Sequence, residues 1–490
     1  MKATKIVCTL GPASTDPQII KDMLAAGMNV ARLNCSHGSH EEHLEKMNSF
    51  RQAAKELGLP PAILLDTKGP EIRLGTFAEG RAHLEKGQEF VLRCAGDAKA
   101  GQKAAEPLPG TAEGVSISYP QLAGQVTEGT RILVDDGKIR MKVKEVRDGD
   151  IVCEVRDAGW VSTKKGVNVP DIHLDMPFLS ERDKEDLLFG IEQDVDFIAA
   201  SFTRSVEDVQ DIRTFLDQNG GAHIRIISKI ENPEGIRNFQ EILAASDGIM
   251  IARGDMGVEV DYATLPGIQK EFIDQCNRVG KPVITATQML ESMISEPMPT
   301  RAEITDVANA VFDGTSAVML SGESASGQYP VQSVKVMTRI LEQAERDLHS
   351  FAGRRVTEEF YSETIRDGHA DLSTAIGHAA CQAANDIGAK ALLAVTQSGY
   401  TARMMARFHP DQPIIAATPS KQAAREMALI RGVIPVMTEV TYEWDELSRE
   451  AVEGARRLGF LSPGDRVVVS AGLPLNESGN TNMIVVETVK

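Results

Sequence analysis

Residues 224–255 read IRIISKIENPEGIRNFQEILAASDGIMIARGD. Two short apolar runs in this stretch, IRIISKIE and GIMIARGD, each end in a carboxylate with a basic residue two positions before it. The segment between them has the pattern of a helix, and a strand, a helix and a second strand in this order favour parallel strands. The sequence therefore predicts that Glu231 and Asp255 emerge at the same edge of one sheet.

Eight apolar runs of this kind occur along the chain, and helical patterns separate most of them. Continuous apolar strands that alternate eight times with helices are typical of a (β/α)8 TIM barrel, in which both faces of each strand are buried. We therefore predict this α/β fold. The eight runs are KIVCTLG, NVARLNCS, AILLDTK, DFIAASF, IRIISKIE, GIMIARGD, PVITATQ and SAVMLSGE.

The pattern changes at two places. Between the third and fourth runs, apolar and polar residues alternate, as in RILVDDGKIRMKVKEV, and DDG and DGD mark turns, which predicts an all-β domain inserted into a barrel loop. From near Arg354, helices and strands follow in the order of an open α/β sheet. The predicted boundaries are 1–74 and 170–350 for the barrel, 75–169 for the inserted β-barrel domain and 351–490 for the C-terminal α/β domain.

The composition limits the classes of partner. The 490 residues carry a formal net charge of -18, and the acidic residues are spread along the chain, which argues against general affinity for nucleic acid or an anionic membrane. No apolar segment approaches the roughly 18 residues that a membrane span needs. The six cysteines are scattered without a CxxC pair, which favours a reduced, cytoplasmic setting for a soluble protein.

Polar residues are concentrated at the ends of the predicted strands, where barrels of this kind place their active sites. Glu231 and Asp255 are hard oxygen ligands suited to Mg²⁺ or Mn²⁺. Arg32 offers a planar fork for a phosphate or carboxylate, and Lys229 offers a movable positive charge beside the metal. A metal, an arginine and a lysine together are typical of phosphoryl transfer, because negative charge must be neutralised in the transition state.

Each of these features also has a simpler interpretation. A single charged residue at a strand end is often a solvated or ion-paired loop residue. The GDMG run that contains Gly254 could place backbone amides against a small carboxylate, yet glycine-rich turns after strands are common. Thr285 and Thr287, taken alone, fit ordinary β-branched strand positions. The convergence of Lys229, Glu231 and Asp255 on one edge is what favours a functional site.

Several long motifs resemble the pyruvate kinase family in their order and spacing. They are KIVCTLGPAS, MNVARLNCSHG, LLDTKGPEIR, KKGVNVP, ISKIENPEG, IARGDMGVE, TATQMLESM, PTRAEITDVANAV and MLSGESA. The resemblance implies a barrel with a mobile β lid domain, a C-terminal regulatory domain that binds a sugar-phosphate or nucleotide effector, and a homotetramer. It also implies a reaction in which phosphoenolpyruvate gives its phosphoryl group to ADP, yielding ATP and pyruvate.

The resemblance also implies roles for individual residues, which we state as expectations. Glu71 in KGPEIR accompanies dependence on K⁺ in this family, so we expect K⁺ dependence. Thr287 would supply a proton to the enolate through a water or a relay, with Ser321 as a candidate member. The implied ligand sets are Glu231 and Asp255 for Mg²⁺ (or Mn²⁺); Arg32, Lys229, Gly254, Asp255 and Thr287 for phosphoenolpyruvate; Asn34, Ser36, Asp66 and Thr67 for K⁺; and His37, Arg73 and Lys165 for the nucleotide.

The C-terminal α/β domain departs from common patterns of the pyruvate kinase family. It contains TQSGYTARMMARFHP, where many relatives have a more basic run, and Asn480 stands in the loop near the C-terminus where threonine is usual. Ser398 and Thr401 before a predicted helix could bind the phosphate of an effector, or they could simply cap the helix. The sequence leaves the identity of the effector open.

Two other functions remain as alternatives. A Mg²⁺-dependent barrel lyase or aldolase would also hold an enolate with Glu and Asp from adjacent strands, but it would need neither a lid nor a K⁺ site. A non-catalytic metabolite sensor would be expected to lose Lys229 or a metal carboxylate, and all three are retained. ADP dependence and a response to K⁺ discriminate between these functions.

Overall fold

The computed structural model describes residues 2–94, 108–170, 172–351, 371–440, 443–474 and 479–490. The first three strands are almost wholly buried apolar runs, as expected for strands covered on both faces. Helices begin where side chains satisfy free backbone amides: Ser39 accepts a hydrogen bond from the amide of Glu42. The elements are β1 (Lys5–Thr9), α1 (Pro17–Ala26), β2 (Val30–Asn34), α2 (His40–Glu56) and β3 (Ala62–Asp66).

An insertion follows β3, and its described residues form nine strands. Its strands are β4 (Ile72–Arg73), β5 (Arg81–Leu84), β6 (Glu89–Arg93), β7 (Gly114–Ser116), β8 (Arg131–Val134), β9 (Ile139–Arg147), β10 (Asp150–Val155), β11 (Gly159–Ser162) and β12 (Gly166–Asn168). Seven form a sheet in the order β4-β12-β8-β9-β10-β6-β7, and β11 pairs with β5. A bridge between Leu74 and Ile117 links the chain beside β4 to the chain beside β7, so the sheet curves back on itself.

The chain then returns to the barrel. The elements are α3 (Glu181–Glu192), β13 (Phe197–Ala200), α4 (Val206–Gln218), β14 (Arg225–Ile230), α5 (Pro233–Arg237), α6 (Phe239–Ala245), β15 (Gly248–Ala252), α7 (Arg253–Glu259), α8 (Leu265–Val279), β16 (Val283–Ala286), α9 (Arg301–Phe312), β17 (Ala317–Leu320), α10 (Gly322–Ala325) and α11 (Pro330–Phe351). All eight barrel strands are parallel, and they close in the order β1-β17-β16-β15-β14-β13-β3-β2. The predicted (β/α)8 barrel is confirmed.

Side chains fill the inside of the barrel. Val7, Leu64, Met250, Ile284 and Met319 come from five of its strands and pack in one buried cluster. Such packing makes the interior a core rather than a channel, so ligands can bind only at its ends.

The helical stretch predicted after β14 is divided in two. Helix α5 ends before Asn238, and α6 begins after it. The side-chain amide of Asn238 donates a hydrogen bond to the carbonyl of Arg204 at 2.9 Å, which ties the junction to the loop after β13. This contact between distant segments interrupts a pattern that is continuous in the sequence.

The C-terminal region is an open α/β sheet, as predicted. Its elements are α12 (Leu372–Asp386), β18 (Ala391–Val395), α13 (Tyr400–Ala406), β19 (Ile414–Thr418), α14 (Lys421–Glu426), β20 (Val433–Met437), α15 (Trp444–Arg457), β21 (Arg466–Ala471) and β22 (Met483–Thr488). The strand order is β20-β19-β18-β21-β22, with only β22 antiparallel to its neighbour. The start predicted near Arg354 lies outside the described residues. Nowhere in the described ranges is a helix both long and apolar enough to cross a membrane.

The C-terminal sheet and α14 pack against the amino ends of the barrel strands. Lys5 at the start of β1 donates a hydrogen bond to the carbonyl of Val433 at 2.6 Å. The amide of Gly432 donates to the carbonyl of Ala3 at 2.9 Å. The carboxyl ends of the barrel strands therefore face away from this domain and towards the insertion.

Candidate active site

Lys229 is at the centre of a buried group of charges at the carboxyl end of the barrel. Its Nζ lies 3.2 Å from Asp66 Oδ1, 3.1 Å from Glu231 Oε1 and 2.7 Å from Ser201 Oγ. Only 11% of the Lys229 side chain and 1% of each carboxylate side chain are exposed. Adjacent parallel strands β3, β13 and β14 end here, which is why residues far apart in sequence meet.

Arg32 joins the same group from β2. Its Nε lies 2.6 Å from Asp66 Oδ2, and its Nη1 donates to Thr9 Oγ1 at 2.8 Å. Burial disfavours the charged form of Asp66, but the positive charges of Arg32 and Lys229 outweigh burial and lower its pKa below the ordinary value. Asp66 therefore holds two cations in fixed positions at the mouth of the barrel.

Glu231 and Asp255 carry negative charge that the cluster does not fully offset. Glu231 Oε2 accepts a hydrogen bond from the amide of Phe202 at 2.5 Å. Burial raises the pKa of Glu231 to about 7, Lys229 opposes that rise, and the charge of Asp255 adds to it. Two carboxylates that repel each other in a buried site fit a divalent cation, because such a cation would remove the repulsion.

These two carboxylates could hold Mg²⁺ or Mn²⁺ only with help from other oxygens. Among the described residues, no three His, Cys, Asp or Glu side chains group as a metal site. Mg²⁺ is commonly held by one or two carboxylates and keeps other positions for water and substrate phosphates. The donor set therefore fits this type of ion.

Asp255 lies on a helix rather than on a strand end. Strand β15 ends at Ala252, and α7 begins at Arg253. The guanidinium of Arg253 explains the change of direction, because it donates to the carbonyl of Thr287 at 2.8 Å and pairs with Asp306 at 2.7 Å. The predicted strand-end position of Arg253, Gly254 and Asp255 is thus corrected to the first turn of a short helix.

Gly254 and Thr287 are in direct contact. The amide of Gly254 donates to Thr287 Oγ1 at 2.7 Å, and that hydroxyl donates to the carbonyl of Ala286 at 2.6 Å. A Cβ at position 254 would lie 3.3 Å from Thr287 Oγ1, so the glycine permits this close approach. Thr287 has a φ of +67°, an uncommon value for a β-branched residue.

Ser321 lies at the end of β17. Its Oγ is buried, and no described residue forms a hydrogen bond with it. Its amide donates to Glu323 Oε2 at 2.7 Å. The hydroxyl therefore remains available to another group.

The residues predicted for K⁺ lie along the ends of β2 and β3. Asn34 is directly opposite Asp66 in the strand register, and Asn34 Oδ1 accepts a hydrogen bond from the amide of Ser36 at 3.0 Å. Thr67 follows Asp66, and its Oγ1 donates to the carbonyl of Ala199 at 3.3 Å. The structure thus brings carboxylate, amide and hydroxyl oxygens to one edge, and such hard oxygens are typical ligands for a hard cation.

The residues predicted for the nucleotide are divided between the insertion and the barrel. Arg73 and Lys165 are near each other on the insertion: Arg73 donates to the carbonyl of Lys164 at 2.8 Å, and Lys165 pairs with Asp135 at 2.7 Å. His37 lies on the barrel, in the turn after β2. Glu71 accepts a hydrogen bond from Arg73 at 2.8 Å.

A cleft of about 390 Å³ separates the barrel from the insertion, and Glu71 and Asp255 are among its lining residues. Asn168 of β12 donates a hydrogen bond to Glu259 of α7 at 2.8 Å across it. The insertion therefore contacts the helix that carries Asp255.

Ser201 contacts Lys229 but was not predicted from the sequence. Ser201 directly follows β13, and its Oγ donates to the carbonyl of Thr67 at 2.7 Å while it accepts from Lys229. The sequence did contain a signal, since β13 was the only strand of the second half of the barrel without an assigned polar residue.

The two residues predicted for the effector lie at the start of one short helix. Helix α13 begins at Tyr400, and its N-cap is Gly399 in the left-handed conformation. Thr401 therefore lies inside the helix, and its Oγ1 shares a hydrogen bond of 2.9 Å with Thr481. Ser398 lies just before Gly399. Gly399, rather than Ser398 or Thr401, is thus the N-cap residue of this helix.

Comparison with known proteins agrees with this architecture. Residues 1–334 match the family model of the pyruvate kinase barrel domain, and residues 374–487 match the model of the pyruvate kinase alpha/beta domain. Pyruvate kinase of Clostridium acetobutylicum is 44% identical over 490 residues, which cover both chains completely. Pyruvate kinases of Geobacillus stearothermophilus and Sporosarcina psychrophila are each 45% identical; the matches cover all of this chain and 80% and 81% of theirs. This chain belongs to the pyruvate kinase family.

Proposed function

We propose that this protein transfers the phosphoryl group of phosphoenolpyruvate to ADP, which yields ATP and pyruvate at the last step of glycolysis. The main support for this proposal is the position of Lys229, whose ammonium group is buried between Asp66 and Glu231 at the mouth of the barrel. Family membership and this cluster together favour it over a barrel lyase or a metabolite sensor.

Binding of phosphoenolpyruvate would use the fixed positive charges. Arg32 and Lys229 are both held by Asp66, so their positions are set before substrate arrives. Preorganised cations of this kind stabilise charge that develops on a phosphoryl group in transfer. Glu231 and Asp255 would hold Mg²⁺ or Mn²⁺, which when bound supplies further neutralisation of phosphate charge.

The chemistry requires one phosphoryl transfer and one proton transfer. The bond between phosphorus and the enol oxygen breaks, a terminal oxygen of ADP bonds to phosphorus, and the enolate left behind takes up a proton on carbon. Thr287 and Ser321 are the candidates for the proton relay. The buried hydroxyl of Ser321, which makes no hydrogen bond to any described residue, supports its inclusion.

The insertion would act as a lid over the reacting groups. Arg73 and Lys165 of the insertion and His37 of the barrel would contact the nucleotide from opposite sides. Closure would exclude water and so limit hydrolysis of the phosphoryl group. The hydrogen bond between Asn168 and Glu259 brings the insertion against the helix of Asp255, which supports a position of the insertion over the site.

We further propose a K⁺ site made by Asn34, Ser36, Asp66 and Thr67, with Glu71 as the residue that makes the ion necessary. The test is pyruvate formation from phosphoenolpyruvate and ADP with Mg²⁺, in K⁺ and in a large organic cation at equal ionic strength. We expect turnover to collapse without K⁺ and the Glu71→Lys variant to depend much less on it.

Other outcomes of this assay would be equally decisive. Turnover that ignores K⁺ would refute the cation site but not the kinase. Absence of ADP-dependent pyruvate, even with sugar-phosphate or nucleotide effectors added, would favour the lyase or sensor function. The family resemblance also supports a cytoplasmic homotetramer, and sedimentation of the purified protein as a monomer or dimer would contradict that assembly.

A further inference from the structure

A second crevice lies at the other end of the barrel, between the barrel and the C-terminal domain. Its volume is about 820 Å³, within the usual range for small-molecule sites. Four of its lining residues are basic, namely Lys2, Lys5, Lys390 and Arg431. This concentration of positive charge is unusual for a chain whose net charge is -18.

Two of these basic side chains donate hydrogen bonds to neutral oxygen atoms. Lys5 is 6% exposed, and its Nζ donates to the carbonyl of Val433 at 2.6 Å. Lys2 donates to Asn29 Oδ1 at 2.7 Å and to the carbonyl of Thr4 at 3.2 Å. Burial lowers the pKa of Lys5 to about 8, and burial together with the charge of Lys5 lowers the pKa of Lys2 to about 7.

The carboxylates of the crevice offset this charge only in part. Glu345 accepts hydrogen bonds from the amides of Ala3 and Thr4, both at 2.7 Å, and from the Thr4 hydroxyl at 2.8 Å. Asp313 pairs with Lys270, which does not line the crevice. Asp411 is the third carboxylate. Four basic side chains therefore share the crevice with three carboxylates, one of which pairs with a lysine outside it.

Two buried polar atoms at the crevice lack hydrogen-bond partners in the described part of the chain. They are Arg431 Nε, a donor, and Gln412 Oε1, an acceptor. Burial lowers the pKa of Arg431, and Glu345 opposes this only partly. Because unpaired buried polar groups cost free energy, a ligand that offers both an anionic oxygen and a hydroxyl would satisfy both atoms.

We propose that this crevice binds a small phosphate-bearing anion, with the phosphate near Arg431 and Lys5 and a hydroxyl near Gln412. The excess of positive charge favours a dianion over a single carboxylate. The volume exceeds what inorganic phosphate alone needs, which favours a phosphate monoester of a polyhydroxylated molecule. Such a ligand would contact both domains at once and would stabilise their packing.

This site is separate from the other candidate sites. Lys390 precedes β18, whereas Ser398 and Thr401 follow its opposite end. Lys5 begins β1, whereas Thr9 at the other end of that strand contacts Arg32 of the candidate active site. The proposal therefore does not depend on the proposed reaction.

The test is calorimetric titration of the whole protein, with saturating phosphoenolpyruvate and Mg²⁺ to occupy the barrel mouth. The probes are ribose 5-phosphate, inorganic phosphate and ribose at constant ionic strength. We expect ribose 5-phosphate to bind, inorganic phosphate to bind more weakly and ribose not to bind. Equal affinity for the two phosphates would also support the site and would assign it to free phosphate.

Variants of residues inside and outside the crevice test where ribose 5-phosphate binds. We expect Arg431→Met and Lys390→Glu each to weaken it at least tenfold, while Arg339→Met, at an exposed arginine of α11 outside the crevice, and Thr401→Ala leave it unchanged. Lys390 is exposed, so its variant tests the site even if Arg431→Met fails to fold. No binding by the unmodified protein, or binding lost in Thr401→Ala and kept in the crevice variants, would overturn the proposal.

Discussion

At the amino ends of β13 and β14, charged side chains of the barrel pair with those of the C-terminal domain, whereas two carboxylates that follow β14 and β15 at the carboxyl end of the barrel repel each other. Asp196 precedes β13 and lies 2.5 Å from Arg425 of α14; Arg225 begins β14 and lies 2.8 Å from Glu426. At the other end, Glu231 lies beside Lys229 but also near Asp255, and its pKa is raised to about 7 by burial and by that second carboxylate.

This difference in charge pairing indicates different roles for the two ends of the barrel. At the amino end, guanidinium groups offset the charges of the carboxylates, so these pairs join the two domains, although burial still raises the pKa of Asp196. The carboxyl end keeps an unrelieved repulsion that a bound cation would remove. Arg225 and Lys229 are separated by about 13 Å along one strand, so the two arrangements can be altered independently.

The largest expected effect is on turnover after a change at the carboxyl end. We predict that Lys229→Met lowers kcat on the order of 10³-fold, because a cation held at the reacting group is lost. Asp66 keeps its bond to Arg32, so the fold should survive. Steady-state kinetics and circular dichroism measure both. The matched control is Lys270→Met, which removes an exposed lysine paired with Asp313 and should keep normal turnover.

A change at the amino end should instead affect stability. We predict that Arg425→Met lowers the free energy of unfolding by about 3 kcal/mol, because Asp196 is left buried without its partner. Urea unfolding followed by fluorescence measures the loss, and kcat of the folded protein should stay within a few-fold. Arg456→Met, which breaks only an exposed pair with Glu453, should change stability by less than about 0.5 kcal/mol. An equal loss in both variants would contradict the role of the buried pair.

Titration of Asp196 should make the free energy of unfolding depend on pH. Burial raises its pKa from 3.8 to about 6, although Arg425 opposes the rise. The folded state then binds more protons than the unfolded state between about pH 4 and pH 6, so this group's contribution to stability is full below pH 4 and is lost as the pH rises through 6. Relative to Asp196→Asn, the unmodified protein should lose roughly 2 kcal/mol across this range. Parallel pH profiles of the two proteins would refute the shift.

The smallest effect is expected at Ser201. Its hydroxyl bonds to Lys229, Asp66 and Thr67, but Lys229 keeps both carboxylates when the hydroxyl is removed. We predict that Ser201→Ala lowers kcat about tenfold, in line with the roughly 1 kcal/mol of one hydrogen bond. Ser333→Ala removes a buried serine hydroxyl that donates a hydrogen bond to the carbonyl of Tyr329 just before α11, and its kcat should not change.

The barrel could be predicted from the sequence because buried parallel strands leave continuous apolar runs such as AILLD. The meeting of Lys229 and Glu231 was also predictable, since residues two apart on a strand share a face. The break at Asn238 and the helical start at Arg253 were not, because distant residues such as Arg204 and Thr287 impose them. The pair of Arg425 and Asp196 joins residues 229 positions apart, and no local pattern encodes it.

The most direct test of this account measures pyruvate formation and the urea midpoint for Lys229→Met and Arg425→Met side by side. We expect opposite results for the two variants: Lys229→Met loses turnover and keeps most of its stability, while Arg425→Met loses stability and keeps turnover when folded. Full turnover in Lys229→Met, or a comparable loss of turnover in folded Arg425→Met, would contradict the division of roles between the two ends of the barrel.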